Sequence, residues 1–457
     1  MVNSFEFQRL NSKRLPTAWK ADGALVRLEN FLQANWEQRA VFYDDGLVTS
    51  KQQFIDFNVR DGIKLQNYIG TIAFEGEQLN IFPKVYKYDE DDYDTTEWCI
   101  DDMVRNLVIW LGYCDKLNFP FVNMKGELIG TTNLLELFIT IYVRYVKNVL
   151  DRELFRRYEE ANETGSVIKG KIDVFDYMTR KISRGNLHQM DYAYSNFVFD
   201  NLLNRIIKHT CKQIISLTTQ TANKEILHKI LIKLSDVSDI ACSPFDCDFV
   251  HLNALNRNYN IIVSMSKMFL LNKVNSYNSG VTQTFCFLFP AELLFEGFVG
   301  GFLQEMFSDR AKVTCQSSDQ YLADLVVDGE VLGNAFLLKQ DILIETSDTI
   351  VILDTKYKEI DRFKKIRENK KLGISDNDMK QMAVYAARKG AKKLYLLYPL
   401  HRGEEIETME VRYDLKLDDQ HSGIKVPLEI LKVPFIFDEE IEHIKKILRS
   451  ILSKVIE

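Results

Sequence analysis

Apolar and polar positions alternate over residues 67–85, NYIGTIAFEGEQLNIFPKV, on either side of Glu75-Gly76-Glu77. Period-two alternation about a tight turn predicts two half-buried strands, with Pro83 closing the second. Residues 1 to about 88 read as β-rich around that hairpin. From about 102 to 285 the period lengthens. TTNLLELFITIYVRYVKNVLDRELFRRY (131–158) and DNLLNRIIKHTCKQIISL (200–217) carry apolar residues at helical spacing with basic residues opposite, and Asp200 is a suitable N-cap for the second. Between them, SVIKGKIDVFDYMTRKI predicts a short strand and a basic segment around Arg180, Lys181 and Arg184. From 286 the pattern becomes helix, hairpin, helix, strand: PAELLFEGFVGGFLQEMF, KQDILIETSDTIVILDTKYKE, DNDMKQMAVYAARKG and AKKLYLLYPL. Such alternation signals an α/β domain. The expected fold is multidomain α+β: a β-rich N-terminal domain (1–101), a mainly helical middle region (102–285) and a C-terminal α/β domain (286–457). The first two hold no acid pair or nucleotide loop and are assigned to partner binding.

The hairpin at 339–359 carries charge where a core strand should not. With Thr346-Ser347-Asp348-Thr349 as the turn, Glu345 faces Ile350, Leu343 faces Ile352, and Asp341 falls opposite Asp354. Alternation then puts Lys356 on the face of both acids and turns Thr355 away. An isolated D-x-K is usually a surface ion pair. Here the flanking residues are apolar on both faces, the mark of central strands, where like charges opposite one another need a compensating cation. That cation is either the lysine ammonium or a bound metal. Carboxylates, a metal and a lysine are the layout of a phosphodiesterase site using Mg²⁺ or Mn²⁺. Glu345 and Asp348 lie nearer the turn and are left out. In the preceding helix Glu296, between Phe295 and Phe298, is placed to point back at the acids or to sit on the rim. In the following helix Gln381 and Tyr385 are four residues apart and share a face.

Length and charge narrow the function. At 457 residues the chain exceeds one ordinary core, and its 46% hydrophobic and 27% charged content is that of a folded protein. The net charge of −7 leaves any DNA contact to a local basic patch. The best candidate is KYKEIDRFKKIRENKK (356–371), with eight Lys or Arg against three acids; Lys358, Arg362, Lys364, Lys365 and Arg367 are its DNA-facing candidates. The acidic run at 88–102 reads as a solvated linker or a docking segment for a basic surface. Seven scattered cysteines fit a reducing cytoplasm, and Cys242, Cys247 and His251 lack a fourth ligand for zinc. Met1-Val2-Asn3-Ser4 leads into charged sequence rather than a secretory leader. The longest apolar stretch, LLELFITIYV at 134–143, is too short to span a bilayer, so no membrane is expected. Without a G-x-x-x-x-G-K-[ST] segment the chain is expected to bind no nucleotide, and any nucleotide use passes to a partner.

Asp341, Asp354-Thr355-Lys356 and Gln381-x-x-x-Tyr385 together resemble the PD-(D/E)XK nuclease superfamily. ILDTKYK and QMAVYA are similar to the McrC family, the nuclease subunit of McrBC-type modification-dependent restriction systems. NYIGTIAFEGEQLNIFPKV, GKIDVFDYMTR, FDNLLNRIIKH and LLFEGFV resemble further segments of that family, in order over most of residues 65–400. The resemblance implies an endonuclease that cuts modified double-stranded DNA, stimulates an McrB-like AAA+ GTPase hexamer and acts in antiviral defence. It assigns Asp341 and Asp354 to the metal, Lys356 to catalysis, Glu296 as a further ligand, and Gln381 with Tyr385 as groups behind the site or facing DNA. Gln340 stands where the motif usually has proline, and extra sequence lies near 215–285 and after 400. Two other readings are a standalone Mg²⁺-dependent nuclease of repair or recombination and a non-catalytic adaptor of the motor.

Overall fold

The computed structural model describes residues 2–37, 51–86, 100–114, 134–167, 170–172, 174–182, 185, 190–253, 256–273, 285–327, 330–360, 369–404, 410–417, 425–437 and 441–455. The chain forms two compact units, one of residues 1–134 with 279–457 and one of residues 135–278. The first and third of the expected domains thus share a unit.

The first unit begins with β1 (Val2–Phe5), β2 (Arg9–Leu10), α1 (Ala24–Glu37), β3 (Ile55–Asp56), β4 (Ile63–Leu65), β5 (Tyr68–Phe74), β6 (Glu77–Phe82) and α2 (Ile100–Leu111). The β5–β6 hairpin turns on Glu75-Gly76, with φ of 50° and 79°, the doubly left-handed turn that matches strand twist. Helix α1 adds to the β-rich expectation. Its Leu28, Phe31, Leu32 and Trp36 pack with Trp19, Ile72, Phe74, Leu79 and Ile81, so the sheet buries one face under a helix supplied by its own segment. The acidic run lies mostly outside the described residues.

The second unit contains α3 (Leu134–Arg152), β7 (Arg157–Gly165), β8 (Lys171–Ile172), α4 (Val174–Asp176), β9 (Met190–Val198), α5 (Leu202–Leu217), α6 (Thr221–Lys233) and α7 (Arg257–Lys273). Strands β7, β9 and β8 form a three-stranded sheet, more strand than the helical pattern predicts. Asp200 does not cap α5. Asn201 does, its side chain accepting from the Asn204 N–H, while Asp200 pairs with Arg205 at 2.7 Å. In α3 the buried Glu136 accepts hydrogen bonds from the Thr218 and Thr219 hydroxyls, which satisfies the one acid in the apolar run. Among the described residues no helix is long and apolar enough to cross a membrane.

The chain then returns to the first unit with β10 (Phe285–Pro290), α8 (Ala291–Phe307), β11 (Lys312–Val327), β12 (Glu330–Glu345), β13 (Ile350–Thr355), α9 (Asp376–Lys389), β14 (Lys393–Leu400), β15 (Val411–Lys416), β16 (Lys425–Pro434) and α10 (Ile441–Leu452). Strand β10 joins the N-terminal sheet in the order β1-β6-β5-β10. Gly70 explains how closely it approaches: at φ 137° a Cβ there would lie 2.0 Å from the Phe287 carbonyl oxygen. The larger sheet runs β11-β12-β13-β14-β16-β15, with β13, β14 and β16 mutually parallel. Helix α9 covers the face of Leu343, Ile352, Leu394 and Leu396 through Met382, Tyr385 and Ala386. Helix α8 covers the opposite face, where Gly300 lies against Cys315 and Ile342. At Gly301 a side chain would strike the Tyr113 carbonyl, at 2.2 Å, so α8 needs its glycines to seat against the end of α2.

Candidate active site

The β12–β13 hairpin has the register that the spacing predicts, with Ile342 opposite Leu353, Leu343 opposite Ile352 and Glu345 opposite Ile350. Thr346 and Thr349 close the turn by a 3.0 Å backbone bond. One step past the last paired residues, Asp341 and Asp354 fall opposite one another, with β14 flanking Asp354 on its other side. Because β13 is central, Asp354 is completely buried (0% exposed). Neither of its oxygens accepts a well-aligned hydrogen bond from the described residues. The Lys356 ammonium lies 2.6 Å from Oδ2 as an ion pair. Burial, reinforced by the charge of Asp341 and opposed by Lys356, pushes the Asp354 carboxyl up to about 7.

Asp341 is half-buried and its Oδ2 accepts from both the Thr355 N–H (2.8 Å) and the Thr355 hydroxyl (2.9 Å). Thr355 therefore does not simply turn away as alternation suggests. The β12–β13 ladder ends two residues earlier, at Leu353, which leaves the Thr355 N–H for a side chain.

Burial alone would lower the pKa of Lys356, but the charges of Asp354 and Asp341 outweigh it and the net direction is upward. The group is held as an ammonium. It donates to Gln381 Oε1 at 3.2 Å, Gln381 Nε2 donates to the Tyr385 hydroxyl oxygen at 2.7 Å, and the Tyr385 hydroxyl donates to the Lys339 carbonyl at 2.5 Å. This relay fixes which way the Gln381 amide points and returns to β12 two residues before Asp341. Helix α9 aims it: Ser375 caps the N-terminus by accepting from the Asp378 N–H, and Gly390 ends the helix in the left-handed conformation.

Asp378 is a site residue that the motif reading missed. It is buried in the first turn of α9, 3.8 Å from the Lys356 ammonium and 3.3 Å from that of Lys358. Its signal was available, since Asp378, Gln381 and Tyr385 are spaced for one helical face. Lys358 is exposed and engaged by Asp378, while Arg362, Lys364, Lys365 and Arg367 lie outside the described residues. Glu296 on α8 accepts from Gln316 Nε2 at 3.1 Å, beside a β11 irregularity where Gln316 has φ 50°. Gln340, at the usual proline position, is fully buried, and its amide nitrogen and oxygen find no hydrogen-bonding partner among the described residues.

Fold and site together define a mixed α/β multidomain protein that gathers two carboxylates and a lysine at the open end of a central hairpin. The chain belongs to the family of McrBC 5-methylcytosine restriction system components, whose family model matches residues 63–399. It is similar in fold to a chain of a refined half-complex from the tetradecameric assembly of Thermococcus gammatolerans McrB AAA+ hexamers with bound McrC, with a TM-score of 0.63, 16% identity and 99% of each chain covered. The cryo-EM structure of the Thermococcus gammatolerans McrBC complex also matches, at a TM-score of 0.45 and 20% identity, over 67% of this chain and 88% of that one. No curated protein sequence matches the chain.

Proposed function

We propose that the chain is the McrC-like endonuclease subunit of a GTP-dependent, modification-dependent restriction system, with a PD-(D/E)XK site at Asp341, Asp354 and Lys356. The observation that carries this reading is a fully buried Asp354 facing Asp341, with the Lys356 ammonium 2.6 Å away. Two carboxylates at a strand end with one cation are a poor stability device and a good anion-chemistry device.

The pair suits a divalent cation. The Lys356 ammonium, 2.6 Å from Asp354, only partly offsets the burial of that carboxylate opposite Asp341, which leaves a use for a proton or a further cation. Hard oxygen donors match Mg²⁺ or Mn²⁺. Among the described residues no group of three or more His, Cys, Asp or Glu side chains could hold a metal. Asp341 and Asp354 would therefore hold the ion with water and phosphate oxygens, as Mg²⁺ prefers. An ion held by these two carboxylates would supply Lewis-acid polarisation of the phosphate and a lowered pKa for its water. The side chains do the rest. Thr355 fixes the Asp341 carboxylate. Lys356, kept protonated, neutralises charge that develops on the phosphate and orients the attacking water; it is not a general base. Gln381 holds the ammonium in place and Tyr385 holds Gln381. Lys358, Arg362, Lys364, Lys365 and Arg367 would meet the DNA backbone.

The Thermococcus McrC is bound to McrB AAA+ hexamers, and by likeness we assign this chain an McrB-like GTPase hexamer as partner and modified double-stranded DNA as substrate, with no nucleotide of its own. The test is to combine the chain with its GTPase, GTP and Mg²⁺ and follow cleavage of methylated and unmethylated DNA. Cleavage that needs all components, favours methylated DNA and is lost in Asp354→Asn supports the assignment. Efficient cleavage without the partner overturns it in favour of a standalone nuclease, and GTPase stimulation with no cleavage in favour of an adaptor.

A further inference from the structure

The NIFPKV end of the N-terminal hairpin leads to the lysine site. Lys84 follows β6 and donates from Nζ to the Tyr357 carbonyl at 2.8 Å, its ammonium 4.5 Å from the centre of the Tyr357 ring. Glu6 follows β1, is completely buried, and through Oε1 accepts from the Tyr357 hydroxyl (2.6 Å) and the Lys84 N–H (2.8 Å). Tyr357 is the residue after Lys356. Its ring packs against Phe295 and Phe435, and it is the centre of a tight turn in which the Lys358 N–H donates to the Lys356 carbonyl at 2.8 Å. On the other side the Lys356 N–H donates to the Leu397 carbonyl in β14, also at 2.8 Å, and the Arg402 N–H beyond β14 donates to the Val85 carbonyl at 2.9 Å. The backbone carrying Lys356 is therefore held by β14 before the residue and by the N-terminal sheet after it.

We propose that Glu6 and Lys84 are positioning residues for Lys356, holding Tyr357 from the N-terminal sheet and thereby setting where the lysine ammonium sits. Beyond the Lys356 N–H bond to β14 no further ladder bond fixes the chain, and a long flexible side chain magnifies any backbone displacement at its tip. Small misplacements of a reacting group are expensive in rate. Burial raises the Glu6 carboxyl to about 7, against the pull of Lys84, and lowers the pKa of Lys84. Burying Glu6 completely beside a half-buried Lys84 is hard to justify as packing alone, because a hydrophobic pair would do as well. The inference rests on the nuclease reading of Lys356, yet the contacts that suggest it lie outside the acid pair.

The test uses the full chain with its GTPase partner and has two readouts. The first, independent of activity, is the acylation rate of the Lys356 amine under competitive labelling, read by mass spectrometry against exposed Lys224. The second is kcat and KM for DNA cleavage. In Lys84→Met and Tyr357→Phe the Lys356 labelling rate should rise relative to Lys224, and kcat should fall about 10–100-fold with KM little changed, the scale expected of residues that orient a reacting group. Lys84→Arg, which keeps a donor for the Tyr357 carbonyl, should restore much of both. Unchanged labelling and kcat in variants that still fold would overturn the proposal, as would a melting temperature that falls with labelling unaltered. If no variant, Lys356→Ala included, affects cleavage, the nuclease reading fails instead, and the labelling result still decides whether Glu6 and Lys84 set the position of Lys356.

Discussion

Replacing Asp354 with Asn removes one charge and almost no volume from the most deeply buried part of the site. The carboxyl rises from its ordinary 3.8 to about 7, which at about 1.4 kcal/mol per pH unit amounts to about 4 kcal/mol as an upper bound. The folded-state value is raised, so this contribution is fully present below pH 3.8 and is lost as pH climbs through 7. Asn does not titrate. In EDTA, the stability of the variant relative to the native chain should therefore improve by up to about 4 kcal/mol between pH 4 and pH 8, on top of any constant offset from losing the Lys356 ion pair. Trp19, Trp36 and Trp110 are buried in the first unit and residues 135–278 contain no tryptophan, so urea unfolding followed by tryptophan fluorescence reports the first unit. Mg²⁺ or Mn²⁺ at a hundredfold excess over its Kd should add about 2.7 kcal/mol to the native chain and little to the variant. A native chain as stable relative to the variant at pH 8 as at pH 4, or a metal effect of equal size on both proteins, would refute the reasoning that burial and Asp341 together outweigh the Lys356 ion pair and leave Asp354 open to a further cation.

Lys356→Ala should lower DNA cleavage by about 10²-fold or more while leaving stimulation of the partner's GTP hydrolysis intact; a parallel loss of both in a folded variant would show that the two activities are not separable. Gln340→Met replaces a buried amide without partners by an apolar side chain of similar shape and should raise stability by about 1–3 kcal/mol with cleavage unaltered, measured by urea midpoint and DNA assay. A chain ended near residue 285 should aggregate, because it strips β10 from the edge of β5 and Phe435 from the face of Trp110, whose ring centres lie 4.1 Å apart. A piece covering 135–278 should unfold cooperatively alone, as calorimetry would show.

The acid pair was legible because a hairpin's register follows from its turn and a constant sum of partner indices, so locating Thr346–Thr349 located Asp341 and Asp354. The same locality made α9 readable, with Ser375 before it and Gly390 after it. Distant pairing was not. FCFLFP at 285–290 is a short apolar run with no period of its own, and nothing in it names β5 as its neighbour. Thr355 was misread because alternation describes strands inside a ladder, whereas Asp341 and Thr355 meet where the ladder stops. Asp378 was overlooked because an acid in a first helical turn has an ordinary reason to be there. Glu6 carries no local motif, and its role depends on a tyrosine 351 residues away.

The pairing of β10 with β5 also sets a timetable for synthesis. Phe74 leaves the ribosome roughly two hundred residues before Phe285, its sheet's last strand. At about 5–20 residues per second the N-terminal sheet waits about 10–40 s with one edge open. The 135–278 unit emerges during that interval with its own contacts already within reach. The order of maturation then differs from the order of the gene: the middle can settle first, the N-terminal sheet closes only when β10 arrives, and the Lys356 turn that leans on Glu6 and Lys84 comes after both. A nascent chain would have no assembled candidate site until most of it had been made.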